Sequence, residues 1–213
     1  MRTLYTFFRS STSYRLRIAL ALKGLDWEPR FISLPRMDHR TADYMALNPQ
    51  GLVPALVDDG QVFAQSLAVL EYLDETHPEP PLLPTDPAGR AYVRGLAQII
   101  GCDIHPLNNV RVLKYLKARW QLSDDDTNEW YRHWIEEGFR SFEATLRAGC
   151  RHGRYCLGDT ITIAEICLVP QVANARRFDC DLSAFPLSVE IAGAAAALPA
   201  FAEAHPSLQP DAF

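Results

Sequence analysis

Along the first eighty or so residues the spacing of apolar positions switches repeatedly between strand and helix periods. Leu4-Tyr5-Thr6-Phe7-Phe8 is a short apolar run that predicts a strand. Ile18, Leu20, Ala21 and Leu22 then begin a helical face that stops at Lys23-Gly24. Glu28 to Leu34 predicts a second strand, and Thr41 to Leu47 a short helix ended by Asn48-Pro49. Val53 to Val57 and Gln61 to Ala64 flank Asp58-Asp59-Gly60, a hairpin signal in which the glycine supplies positive φ. A third helix is predicted from Ser66, with Leu67, Val69, Leu70 and Leu73 apolar, running out near His77-Pro78. The order β-α-β-α-β-β-α predicts an α/β unit of about eighty residues.

Pro78, Pro80, Pro81, Pro84 and Pro87 then fall within ten positions. Such a cluster continues neither helix nor sheet and marks a linker. Beyond it the periodicity is helical, over Arg90 to Trp120, Asp125 to Gly149, Ile163 to Arg176 and Ser188 to Ala197. The expected architecture is α/β plus all-α, with domains at 1–80 and 88–213. A chain of 213 residues with 48% hydrophobic content has enough apolar material for two modest cores. A net charge of −5 provides no general attraction to nucleic acid or to anionic membrane. No apolar run approaches a membrane span, and Leu4 to Phe8 is too short for a signal-peptide core. Five cysteines without a Cys-x-x-Cys pair fit reduced thiols in a cytoplasm. No zinc-ligand spacing appears and the six histidines are scattered, so no metal is expected.

The densest chemistry follows the first strand. Ser10, Ser11, Thr12 and Ser13 put four hydroxyls in four positions at a helix N-terminus. One of them would cap the helix. Four also gather O–H and N–H donors where the helix dipole is positive, a place that stabilises an anion such as a thiolate. Val53-Pro54 precedes a strand, where a proline lacking its N–H is tolerated; a cis bond there would turn the Val53 backbone outward. Gln65-Ser66 opens the third helix, with Ser66 as N-cap or as part of a carboxylate site. Thr162-Ile163-Ala164-Glu165 is a capping box whose task is folding, and Trp120, Trp130 and Trp134 are expected as core or interface aromatics.

Phe8 to Leu20, Asn48-Pro49, Val53-Pro54 and Gln65-Ser66-Leu67-Ala68 together resemble the thioredoxin-like N-terminal domain of the glutathione transferases. The zeta class is the specific likeness, and it extends through Gly101 to Asn109, Gly158-Asp159 with Thr162, and Leu168 to Phe178. Thr12 stands where that class often has cysteine, which excludes a covalent cysteine there. The resemblance covers essentially the whole chain and implies the maleylacetoacetate and maleylpyruvate isomerases. It implies glutathione as coenzyme, with Ser10 on its sulfur and Ser11, Thr12 and Ser13 completing the turn. Val53, at Pro54, would pair with the cysteinyl unit, and Gln65 and Ser66 would hold the γ-glutamyl carboxylate. His105, Asn109 and Arg111 would lie in the long helix after the linker, on the side facing the first domain. A histidine before a proline is equally explained as structural.

Arg9, Arg111 and Arg177 come from three distant places and are the candidates for a dicarboxylate substrate, since guanidinium forks bind carboxylates bidentately. Each alone is also explained as a surface charge. Arg176 and Arg177 are adjacent and must point differently, and the resemblance selects Arg177. The implied reaction is cis–trans isomerisation of a maleyl 3-oxo acid by reversible thiolate addition, in aromatic or tyrosine catabolism. The alternative is a zeta-class transferase acting on 2-halo acids or other small electrophiles. A non-catalytic module of this fold is disfavoured by the intact hydroxyl turn and Gln65-Ser66. The resemblance further implies a homodimer.

Overall fold

The computed structural model describes residues 1–213. The chain divides into two compact units, Met1–Leu82 together with Ala197–Phe213, and Leu83–Ala196. The expected helical domain 88–213 is therefore corrected at its C-terminal end. Phe201 is the reason: this aromatic is fully buried in the first unit, and its carbonyl accepts from the Tyr14 hydroxyl at 2.9 Å. Composition alone does not show which core a short tail will join.

The first unit runs β1 (Thr3–Thr6), α1 (Ser11–Leu22), β2 (Glu28–Phe31), α2 (Ala42–Leu47), β3 (Ala55–Asp58), β4 (Gln61–Ala64) and α3 (Ser66–Thr76). Its four-stranded sheet has the order β2-β1-β3-β4, with β1 parallel to β2 and antiparallel to β3, and β3 antiparallel to β4. β2 is an edge strand, which is why Pro29, opposite Leu4, is tolerated without a donor N–H. Leu4 and Leu56 are fully buried in the sheet, and α1 packs against α3 and against the tail helix taken up below. The register matters for function. Tyr5 lies opposite Ala55, and Ala55 opposite Ala64, so the end of β1, the start of β3 and the end of β4 share one end of the sheet.

The second unit holds α4 (Pro87–Gln98), α5 (Val110–Trp120), α6 (Asp124–Gly149), α7 (Ile163–Arg177) and α8 (Pro186–Ala196); α9 (Pro199–Glu203) belongs to the tail. The helix expected to run unbroken from Arg90 to Trp120 is two helices. α4 passes into a wider π turn over Ile99–Ile104, where the His105 N–H reaches Ile100 O at 3.0 Å, and α5 starts afresh at Asn109. Pro106 supplies no N–H to continue the ladder. Gly138 on α6 lets this turn approach, since a Cβ there would collide with the Ile104 side chain.

α7 is buried on nearly every side, as a helix apolar all round must be, and it packs against α4 and α8. The Thr162–Glu165 capping box is formed, and fully buried Glu165 also accepts from the Cys156 N–H at 2.7 Å. Buried Glu143 on α6 caps α8 from outside the helix, accepting from the Leu187 and Ser188 N–H groups and the Ser188 hydroxyl. Trp120 is 58% exposed and lies outside the core of its unit, whereas Trp130 is half-buried and donates to Leu107 O at 3.0 Å. No helix is long and apolar enough to cross a membrane.

Candidate active site

The hydroxyl turn, Val53-Pro54 and Gln65-Ser66 meet at the shared end of the sheet, and two side chains of α1 tie them together. Ser10 is the N-cap of α1, its Oγ accepting from the Ser13 N–H at 3.1 Å. Thr12 Oγ1 donates to Val53 O at 3.1 Å and lies 2.9 Å from Ser10 Oγ. Proton bookkeeping sets the direction of that last bond. A carbonyl only accepts, so the single Thr12 proton goes to Val53 O, and Ser10 gives its own to Thr12. Ser10 thus heads a relay that ends on the carbonyl of Val53, and the Val53–Pro54 peptide is cis. Ser13 Oγ closes the turn from behind, accepting from the Phe7 N–H at 3.5 Å. Ser11 is buried in the first turn, and that turn carries no acidic side chain, so no carboxylate of the helix itself offsets the positive end of the dipole.

The start of α3 differs from expectation. Ser66 is the first helical residue, and the N-cap position belongs to Gln65, which makes no side-chain cap bond. Gln65 sits in the left-handed region at φ 69°, strained for a residue with a Cβ, a condition that favours binding sites. Its amide donates to Gln50 Oε1 at 2.9 Å. Ser66 Oγ accepts from Arg15 Nη1 at 3.1 Å, a contact between buried residues that sequence reasoning missed. Arg15 belongs to an apolar-looking stretch of α1 and no local signal marks it as inward-facing.

Arg9 is exposed, stacks over the Phe8 and Phe213 rings at 5.0 and 5.1 Å, and donates from Nη2 to Phe213 O at 3.3 Å. In the second unit, Asn109 caps α5, accepting from the Arg111 N–H at 3.1 Å. Arg111 is exposed in the first turn of that helix, and half-buried His105 stands in the turn before it. Exposed Arg177 lies 5.0 Å from the Phe178 ring, which stacks on Tyr131 at 3.7 Å. Burial raises the Tyr131 phenol, while the charge and hydrogen bond of Arg177 pull it back. Arg177, Phe178 and Tyr131 therefore form one cluster. No group of His, Cys, Asp and Glu is placed to hold a metal ion.

The family described as "Glutathione S-transferase, N-terminal domain" matches residues 9–76. A probable maleylacetoacetate isomerase of Vibrio cholerae is 48% identical over 211 residues, covering 98% of this chain and 97% of its own. Among solved structures, a maleylpyruvate isomerase, a bacterial zeta-class transferase in its holo form, superposes with a TM-score of 0.96 at 48% identity, over 99% of this chain and all of its own. The maleylacetoacetate isomerase of Methylobacterium extorquens AM1, solved with malonate and glutathione bound, reaches the same TM-score at 40% identity over 99% of each chain. The chain belongs to the glutathione transferases, and within them to the zeta-class family of maleylacetoacetate and maleylpyruvate isomerases.

Proposed function

We propose that the protein is a glutathione-dependent cis–trans isomerase that converts a maleyl 3-oxo acid, maleylacetoacetate or maleylpyruvate, to its fumaryl isomer. The observation that carries this reading is the α1 N-terminus, where Ser10 heads a proton relay in a turn without acidic residues. The residues fit the coenzyme: α3 begins with an uncapped turn, a strained Gln65 and a Ser66 hydroxyl held from behind by Arg15. When bound, glutathione supplies a thiolate that adds to the conjugated double bond, permits rotation about the resulting single bond, and leaves again.

The protein has three tasks. The first is to hold the thiol ionised at working pH, below the ~8.5 of a free thiol. Ser10 does so by turning its proton from Thr12 to the sulfur, with the helix end adding its dipole. The second is to seat the coenzyme, through the Val53 backbone beside Pro54 and through Gln65 and Ser66, with His105 and Asn109 as further candidates. The third is to hold the substrate carboxylates and the enolate oxygen, the role assigned to Arg9, Arg111 and Arg177. Ser11 and Thr12 complete the turn. The protein acts as a homodimer in aromatic catabolism. The test is incubation of maleylacetone with a small fraction of its molar amount of glutathione. Many turnovers with the thiol content conserved support isomerisation. Product that stops at one equivalent of glutathione and accumulates as a conjugate identifies a transferase instead.

A further inference from the structure

Two arginines of α1 are almost wholly buried, Arg15 at 1% and Arg17 at 2% exposure. Arg17 is satisfied. Its Nε, Nη1 and Nη2 donate to Ala204 O, Thr6 Oγ1 and Phe8 O, and Asp211 lies near enough to act on its charge. Arg15 is not. Only Nη1 has an acceptor, the Ser66 hydroxyl, while Nε and Nη2 have none, and no protein carboxylate pairs with the group. A guanidinium does not give up its proton at physiological pH. Buried charges are kept in folded proteins when they are paired. Arg15 is thus a permanent buried cation lacking a protein counter-charge, and it sits directly under the first residue of α3.

That helix end points the same way. α3 has eleven residues, its leading N–H groups receive no side-chain cap, and Gln65 before it is strained. Ser66 Oγ spends a lone pair on Arg15 Nη1 and has no protein acceptor for its own proton. A hydroxyl that accepts from a cation is a better donor to whatever lies on its other side. Cation, polarised hydroxyl and uncapped helix end line up as a receptor for one carboxylate.

We propose that Arg15 is a positioning residue for the coenzyme: acting through Ser66, it supplies the buried positive charge against which the γ-glutamyl α-carboxylate of glutathione docks. This rests on the glutathione reading above and assigns to it a residue that the resemblance did not. The test compares the intact protein with its Arg15→Met, Arg15→Lys, Ser66→Ala and Arg15→Met/Ser66→Ala variants. Dissociation constants are measured calorimetrically for glutathione and for 4-aminobutanoyl-cysteinylglycine, which lacks only the α-carboxylate. Arg15→Met should weaken glutathione about ten- to a hundred-fold, the usual cost of losing a charge-assisted hydrogen bond. It should leave the analogue unaffected and change kcat at saturating glutathione far less than KM. The double variant should be little worse than the worse single one, because both residues serve one contact. Should Arg15→Met fail to fold, Arg15→Lys, which keeps the charge and loses the fork, should show a smaller loss confined to glutathione. Equal weakening of both ligands, or none of either, overturns the role of Arg15 while leaving the glutathione reading intact. Equal affinity of the unaltered protein for the two ligands would overturn the carboxylate site. No binding of glutathione by the unaltered protein would remove the glutathione reading itself.

Discussion

A hydroxyl has one proton to give, and in the first turn of α1 Ser10 gives it to Thr12, which passes its own to the Val53 carbonyl. Thr12 therefore competes with a bound thiolate for the Ser10 proton. Ser10→Ala should lower turnover about a hundredfold, the scale of losing one donor to a developing anion. Thr12→Val, which removes the competitor, should lower it far less. Equal damage from the two would make Thr12 the donor. At the substrate end, Arg177→Met should slow a maleyl substrate about ten- to a hundred-fold. A monocarboxylate analogue lacking the partner of Arg177 should be nearly indifferent. Equal losses would mean that Arg177 only supports Tyr131 and Phe178. The hydroxyls were legible in sequence because they are clustered and adjacent. The bond between Thr12 and Val53, and that between Arg15 and Ser66, were not, because each joins residues roughly forty to fifty positions apart whose meeting depends on sheet register.

Among the elements, the hairpin at Asp59-Gly60, the start of β4 and the two capping signals of α1 and α7 follow local chemistry and were readable as such. The break at His105–Asn109 has its local signals in Pro106 and the Asn109 cap, but apolar spacing that continues on both sides masks them. The cap of α8 was equally hidden, since Glu143 comes from another helix. Burial alone would raise the Glu143 carboxyl, but bonds from the Ser188 hydroxyl and N–H, the Leu187 N–H and Arg147 hold it below its usual 4.5. A carboxyl depressed in the folded state stabilises above its unfolded pKa, and that contribution is lost as pH falls through the folded value. Glu143→Gln should therefore lower Tm most near neutral pH, and the gap to the unaltered protein should close below about pH 4.5. A gap constant from pH 7 to pH 3.5 would show that the ionised cap contributes nothing.

For the whole molecule, the tail 197–213 completes the first unit: Phe201 fills its core, Tyr14 and Arg17 donate to the tail carbonyls of Phe201 and Ala204, and Asp211 accepts from the Phe8 N–H at 3.0 Å. Phe201→Ala should cost about 3–5 kcal/mol in urea unfolding, as large-to-small changes in a packed core do. A near-neutral effect would show that the tail merely rests on a finished domain. The α/β-then-helical plan was visible from the proline cluster and the change of period. The return of the tail was not, because short amphipathic segments carry no address for the core they join. The coenzyme's ionisation at the head of α1 underlies everything proposed for the site. Its most direct measurement is a pH titration of the thiolate absorbance of glutathione bound to the unaltered protein and to Ser10→Ala. The bound thiol should titrate well below the ~8.5 of a free thiol in the first and return toward it in the second. A bound thiol that titrates at its free value in both would contradict activation at this helix end.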